Sequence, residues 1–337
     1  MSVPIFPSSG ATETDTMRAA VYSRFGPPEV LAIRTLLRPT PSADQVLVRV
    51  RATTVTAACT MMRRGDTVMA RVVLGPFAPR KRFQVAGIEF AGTLERVGPS
   101  VRAWRPGDRV FGFAGFNAGA YGQYLCIPAT ASLAKMPEEL DFAEAASLVD
   151  GPTTALFFLE NLARVRRGER VLVIGASGSV GGAAVQVAAS LGALVTGVTS
   201  TANLELVRSL GAGAVIDYTR EDFKMTDQSY DIIFDAVTKS SFSACKSVLA
   251  PGGRYLPTVP RLRDYLRMGW TKYFGDRRVV CGMSIEKRAA LEAVKALVQR
   301  GALRPVIDRR YTLDQIAEAH RYVDTGRKKG NVVIDMG

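Results

Sequence analysis

The sequence predicts an α/β chain of two domains, a small β-barrel half followed by a doubly wound parallel sheet with helices on both faces. Three observations carry that prediction. The chain has 337 residues, too many for one small core and about right for two domains. Its first part reads as short strands punctuated by Gly and Pro, and its second as strands alternating with helices. A glycine-rich turn follows the first strand of that alternation.

From Met17 to about Pro137, residues 19–22, 45–53, 91–97, 109–113 and 121–127 are rich in strand-forming types, and Pro106-Gly107-Asp108 is a turn signal. They predict the barrel. Residues 1–16 hold Pro, Ser, Thr and Gly without a basic start or an apolar run, and read as a flexible lead, not a signal peptide. At Asp141 the period changes. Residues 142–148 and 153–163 have helical spacing, residues 171–174 form an apolar strand, and 180–191 a helix. Strand 194–198, helix 204–210 and strands 214–216, 232–236 and 254–257 continue the series, and such repeats imply a parallel sheet covered on both faces. Residues 285–300 read as one long amphipathic helix and 332–334 as a closing strand.

Hydrophobic residues make up 47% and charged residues 22%, ordinary for a globular chain. No apolar window of about 18 residues predicts a membrane span, and the expected compartment is the cytoplasm. The cysteines, Cys59, Cys126, Cys245 and Cys281, are far apart and form no CxxC pair, which argues against a disulfide framework and a thiolate metal site. His320 is the one histidine; it reads as a surface helix residue, and no metal site is expected. A net charge of +13 favours anionic ligands, phosphorylated cofactors among them. No helix-turn-helix, zinc-finger or RNA-binding signature accompanies it, so specific nucleic-acid binding is not expected.

The strongest motif is Val171-Leu-Val-Ile-Gly175-Ala-Ser-Gly178-Ser-Val-Gly181, an apolar strand, a glycine turn and a helix start. Glycines let the backbone turn tightly and approach a pyrophosphate, which the free N–H groups and positive end of the helix then bind. About 20 residues on, where a carboxylate would bind the ribose hydroxyls of NAD, the residues are Thr199, Ser200, Thr201, Ala202 and Asn203, with no acid before Glu205. Hydroxyls and an amide accommodate a 2′-phosphate that a carboxylate would repel. Arg208 is placed to neutralise that phosphate and Tyr218 to pack near the adenosine. The expected cofactor is NADPH.

These residues resemble the medium-chain dehydrogenase/reductase superfamily from Met17 to Gly337, closest to its zinc-free quinone/enone reductases. Met17-Arg-Ala-Ala-Val-Tyr22 looks like that family's barrel start, Gly87-Ile-Glu-Phe-Ala-Gly92 its GHExxG signature and Arg105-Pro-Gly-Asp-Arg-Val110 its barrel turn. Gly151-Pro-Thr-Thr-Ala155 and Gly175–Gly181 resemble its cofactor segments, and Arg327-Lys-Lys-Gly-Asn-Val-Val333 its terminal strand. The resemblance implies a GroES-like barrel of residues 17–137 and 284–337 with a Rossmann domain, 138–283, inserted in it. Thr154 would lie near the nicotinamide and Ser177, Gly178, Ser179 and Val180 along the pyrophosphate, with Val237, Val259, Gly282, Met283 and Ser284 flanking the cofactor. A homo-oligomer, a dimer, is the expected assembly. Ile88 stands where zinc-dependent members have a histidine ligand and Thr56 where they have a cysteine, and their structural-zinc loop is missing. Glu89 then reads as a structural carboxylate. The Tyr that enoyl-thioester reductases carry near Thr67 is missing too, so no catalytic acid transfers.

With no metal to polarise an alcohol, reduction of an activated acceptor is the easier chemistry. In an enone or quinone, charge develops on the carbonyl oxygen, where a hydroxyl or backbone N–H stabilises it. Thr56 is the first side-chain candidate and Tyr121 the second. The alternative is a catalytically silent NADP-binding or structural protein on the same fold. In residues 260–278, Leu262, Tyr265, Leu266, Gly269, Trp270, Tyr273 and Phe274 recur at helical spacing among Arg261, Arg263, Arg267 and Lys272. Packing onto the protein itself, capping a substrate site, a dimer contact and contact with an anionic membrane surface all fit that pattern.

Overall fold

The computed structural model describes residues 15–66, 71–72, 74–115 and 118–337. Of the expected lead only Asp15 and Thr16 fall among them, and Thr16 already opens the first strand; Thr67 lies outside the described residues. The chain divides into two compact units. One takes Met1–Val149, Glu286–Lys295 and Ile307–Gly337, the other Asp150–Ile285 and Ala296–Val306.

The first unit begins with an antiparallel pair, β1 (Thr16–Val21) and β2 (Ala32–Leu37). Next come β3 (Gln45–Thr54), β4 (Glu89–Val97), β5 (Arg109–Phe113), β6 (Tyr124–Pro128) and β7 (Ser132–Lys135). Strand β3 is the spine. Its sequence QVLVRVRATT buries residues on both faces, and at ten residues it is long enough to serve two partners along one edge. Strand β6 pairs with Gln45–Arg49 and the terminal strand with Ala52–Thr54, while β4 takes the other edge. The Phe142–Ser147 helix packs on this sheet, its start fixed by a capping box between Asp141 and Glu144.

The second unit holds β8 (Arg170–Ile174), β9 (Leu194–Thr199), β10 (Ala214–Asp217), β11 (Tyr230–Asp235), β12 (Leu249–Pro257) and β13 (Arg278–Val279). All pair in parallel. The order β10-β9-β8-β11-β12-β13 is the doubly wound 3-2-1-4-5-6, with its switch point between the first and fourth strands. Val171, Leu172, Val173 and Ile174 are all buried, as a central parallel strand covered on both faces requires. The chain then returns to the first unit, where β14 (Ile307–Thr312) pairs in parallel with β15 (Asn331–Asp335). This is the α/β architecture expected, a Rossmann sheet with a GroES-like β-domain.

Some elements differ from the sequence reading. The expected strand 121–127 starts only at Tyr124, because Tyr121 and Gly122 sit in a turn closed by Tyr121 N–H to Ala86 and Gly122 N–H to Gly119. The expected helix 153–163 is α-helical over Asp150–Leu156 and then widens to a π-turn over Phe157–Leu162, where Ala163 N–H reaches back to Phe158. Among the described residues no helix is long and apolar enough to cross a membrane.

Candidate functional site

At the C-terminal end of β8 the chain reverses through Gly175, whose φ of +80° suits glycine alone among common residues. Val237, which follows β11, packs onto it: a Cβ on Gly175 would lie 2.6 Å from a Val237 methyl. A Cβ on Gly181 would lie 2.1 Å from the Gly175 carbonyl oxygen, so only glycine lets the helix sit this close to the turn. The Ser179–Ser190 helix starts from Gly178 with no side chain capping it, and Ser177, Gly178, Ser179 and Val180 are half-buried around its first turn. The positive end of the helix is therefore left without a capping side chain, as an anion site at a helix start requires.

Beside this turn lies a polar cluster. Ser177 Oγ accepts from Thr199 Oγ1 at 2.9 Å and from Asn203 Nδ2 at 3.2 Å, and Asn203 also donates to Ser200 Oγ at 3.2 Å. Thr201 Oγ1 donates to Asp217, which also accepts from the Thr219 hydroxyl at 2.7 Å. These bonds, the one from Thr201 foremost, hold the Asp217 carboxyl below its ordinary range. Among the described residues two buried atoms nearby have no hydrogen-bond partner, Asn203 Oδ1 and Thr238 Oγ1. Thr238 also adopts φ +52°, a strained left-handed conformation for a β-branched residue. They follow β9 and β11 on the sheet's C-terminal side, where ligands of doubly wound sheets bind. Uncapped helix start, glycine cradle and unpartnered polar atoms together fit a dinucleotide.

The other expected cofactor residues spread around this end of the unit. Thr154 donates to Asp150 at 3.3 Å on the Asp150–Leu156 helix. Val237, Val259 and Met283 are about half exposed. Gly282 lies so close to Phe157 and Leu162 that a Cβ would overlap both, and Ser284 belongs to the irregular stretch after β13. Tyr218, 61% exposed, leaves the end of β10. Arg208 is not joined to the cluster; it pairs with Glu205 on an exposed helix face. Asp217 was missed by the sequence reading, although it closes the third strand of the alternation.

The two catalytic candidates lie in the other unit, in a buried polar network. Thr56 caps the Ala57–Arg64 helix: its Oγ1 accepts from Cys59 N–H at 3.1 Å and lies 3.3 Å from the Cys59 thiol. Tyr121 is fully buried, with its hydroxyl 3.3 Å from the Thr54 carbonyl and 3.0 Å from His320 Nε2. Burial pushes the Tyr121 hydroxyl and the Cys59 thiol upward. Glu89, also buried, accepts from the Thr54 hydroxyl, which matches the structural role read for it.

His320 requires a correction. Instead of facing solvent it is fully buried, on the face of the Ile316–Asp324 helix that also buries Ile316, Ala319 and Val323. That i, i+3, i+4, i+7 spacing is an inward stripe that the sequence already displays. Arg63 Nε donates to His320 Nδ1 at 3.3 Å. The proton must then sit on Nε2 and point to Tyr121, whose own O–H is left for Thr54. The buried Arg63 also donates to the Gly26 carbonyl and pairs with Asp324. Burial, with the Arg63 charge adding to it, lowers the imidazole to about 3.

Among the described residues no three His, Cys, Asp or Glu side chains gather as a metal site. Two family descriptions match the chain, alcohol dehydrogenase GroES-like domain over residues 42–138 and zinc-binding dehydrogenase over residues 210–334. The chain is 32% identical to quinone oxidoreductase of Homo sapiens over 330 residues, 94% of this chain and 96% of that one. It is 30% identical to 2-methylene-furan-3-one reductase of Solanum lycopersicum, over 97% of this chain and 82% of that one. The quinone oxidoreductase structure from Coxiella burnetii matches with a TM-score of 0.87 at 28% identity, covering 96% of this chain and 100% of that one. On these findings the chain belongs to the medium-chain dehydrogenase/reductase superfamily of oxidoreductases, in its quinone oxidoreductase-like branch.

Proposed function

We propose that this protein is an NADPH-dependent, zinc-independent reductase of quinones or other α,β-unsaturated carbonyls. The observation that carries the reading is the nucleotide end of the second unit, a glycine cradle and uncapped helix start beside hydroxyls and an amide. No carboxylate stands at the end of β9 itself. The names of the human and tomato relatives, one for quinones and one for a methylene-furanone, support the acceptor class.

NADPH, when bound, would be the source of the hydride that the electrophilic carbon of the acceptor takes up. The turn from Gly175 to Gly181 and the helix it opens hold the pyrophosphate. Ser200, whose hydroxyl accepts from Asn203 and keeps its own proton free, would donate to the 2′-phosphate, with Thr201 and Asn203 lining it, while the Asp217 carboxylate accepts from Thr201 and Thr219. Thr154 would lie near the nicotinamide, and Val237, Val259 and the 282–284 segment would flank the cofactor. Thr56 is the first side-chain candidate to stabilise the charge that develops on the carbonyl oxygen and Tyr121 the second, and solvent supplies the final proton. Zinc independence is supported by the donor set: Ile88 and Thr56 offer no ligand of the zinc-binding type, and Glu89 is bonded to Thr54. The reading includes a cytoplasmic homodimer, which fractionation and sedimentation check.

One observation favours the alternative of a nucleotide-binding protein without turnover: the hydroxyls of Thr56 and Tyr121 are both engaged inside the barrel unit. NADPH oxidation against a panel of quinones, enones and aldehydes, with NADH and EDTA arms, decides between them. Turnover of quinones or enones that is NADPH-selective and insensitive to EDTA is the expected result. Tight NADPH binding with no turnover of any acceptor would establish the alternative.

A further inference from the structure

The segment that follows β11 is held more firmly than a surface loop needs to be. Asp235, fully buried at the end of that strand, accepts from Val237 N–H at 3.2 Å, from Ser240 N–H at 3.1 Å and from the Tyr255 hydroxyl at 2.8 Å. Ala236 N–H donates to the Ile174 carbonyl of β8 at 3.1 Å. Thr258 donates to the Asp235 carbonyl twice, from its N–H at 3.1 Å and from its hydroxyl at 3.2 Å. Inside this clamp Thr238 takes φ +52°, a conformation that suits glycine and strains a β-branched residue. Its Oγ1 is buried without a hydrogen-bond partner, although buried hydroxyls are nearly always bonded. Glycine would remove both costs at once, so the side chain needs a task to explain it. Strain of this kind persists where the surroundings over-determine it, and it gathers at ligand clamps.

The topology says which part of a ligand would stand there. A doubly wound sheet consists of two mononucleotide-binding halves, with the dinucleotide laid across the switch point, here between β8 and β11. The Ser179–Ser190 helix start and Thr199–Asn203 belong to the half that opens with β8, and would serve the pyrophosphate and the adenosine. Strand β11 opens the other half, so the segment after it would serve the nucleotide on the far side of the pyrophosphate. Thr238 adjoins Val237, which packs against Gly175, and so stands one residue from the glycine turn. On that side a nicotinamide dinucleotide presents a ribose with two neighbouring hydroxyls, each able to donate and to accept. As a whole Thr238 is only half-buried, and a turn about its Cα–Cβ bond carries the hydroxyl toward the open side.

We propose that the Thr238 hydroxyl bonds the ribose on the nicotinamide side of the dinucleotide, and that the strain at Thr238 is retained for that bond. The proposal rests on the nicotinamide-nucleotide reading of this unit, and its test compares whole nucleotides with half nucleotides. Affinities of the full chain are measured by calorimetric titration for NADPH, NADH, 2′,5′-ADP and 5′-AMP, the last two carrying the adenosine half alone. Thr238→Val keeps the branched shape and removes the hydroxyl. It should weaken NADPH and NADH alike by about tenfold, one hydrogen bond's worth, and leave the half nucleotides within about twofold. Thr238→Ser should return dinucleotide affinity to within about threefold of wild type. Thr238→Gly should melt higher than wild type in the absence of nucleotide, because the strain is gone, yet bind dinucleotide as weakly as the valine variant. A valine variant that binds NADPH as wild type does would overturn the proposal and leave the nucleotide reading standing. Equal losses for whole and half nucleotides would overturn it too, and so would a valine variant that melts well below wild type, since the hydroxyl would then serve the fold. Wild-type protein that binds none of the four ligands would overturn the nucleotide reading and this proposal with it, before any substitution is made.

Discussion

The two polar clusters of this protein are built on opposite principles. In the barrel unit, Arg63, His320, Tyr121 and Thr54 pass hydrogen bonds from one to the next until each is engaged, with Thr56–Cys59 and Glu89–Thr54 closed beside them. At the nucleotide end of the other unit, the helix start lacks a capping side chain and Asn203 Oδ1 and Thr238 Oγ1 are buried without partners. Buried polar groups are nearly always satisfied in a folded protein. A closed network therefore belongs to the fold, whereas an open one carries a cost that a ligand can remove. The contrast predicts that substitutions of Arg63 and His320 in the first cluster act on stability and those in the second on nucleotide affinity.

The largest effect should come from Arg63→Ala. It leaves His320 Nδ1 and the Gly26 carbonyl without their donor and takes one cation from Asp324, which keeps Arg64. Breaking a buried, hydrogen-bonded charge costs roughly 3–5 kcal/mol, to be read from denaturant midpoints. A loss below about 1 kcal/mol, the range of a surface ion pair, would show the network to be less closed than its geometry implies.

The same cluster has a pH signature. His320 is held at about 3 in the fold, against an ordinary value near 6.5. Below 6.5 the unfolded chain takes up a proton that the folded imidazole refuses. Stability present above 6.5 is therefore lost as pH falls toward 3, at up to about 1.4 kcal/mol per pH unit. Carboxylates titrate in the same window, so the test is a difference: His320→Gln should flatten the slope between pH 6 and about 4. Identical slopes in the two proteins would mean that the imidazole reaches solvent.

These clusters also differ in how far the sequence reveals them. The Val171–Gly181 turn is legible because an apolar strand, spaced glycines and a helix start lie within a dozen residues, and each is a local requirement. The Arg63–His320 bond joins positions 257 apart, and nothing local to Arg63 separates it from a surface arginine. His320 is legible in part, since its helix carries an inward stripe, whereas a lone histidine among charged neighbours suggests solvent. For the Leu262–Tyr273 helix the period was plain while the buried face was not. Periodicity finds two faces without saying which is buried, and this helix turns its apolar side outward.

In the open cluster the sharpest steric test is Gly181→Ala. Its Cβ would stand 2.1 Å from a backbone oxygen, so the helix must retreat from the turn. Overpacking of this kind costs about 1–3 kcal/mol, and nucleotide affinity should fall with it. Gly213→Ala, outside the turn, is the matched control, with the nearest atom at an ordinary 3.8 Å. Calorimetric titration with NADPH should separate the two variants. Equal affinities would mean that the close approach is packing without function.

The smallest effect expected is also the most specific. Ser200→Asp places a carboxylate at the end of the second strand, beside Asn203. If the hydroxyl and amide cluster receives a 2′-phosphate, that charge repels NADPH and spares NADH. One adverse interaction of about 1.4 kcal/mol weakens NADPH tenfold. Fold stability should barely move, because Ser200 is only half-buried and no hydroxyl-to-backbone cap is lost. The ratio of the two cofactors' affinities is the readout, since a general disturbance of the site would shift both together. A variant that loses NADPH and NADH equally would place the 2′-phosphate elsewhere, and Arg220, which stands 3.7 Å from Asp217, would be the next residue to change.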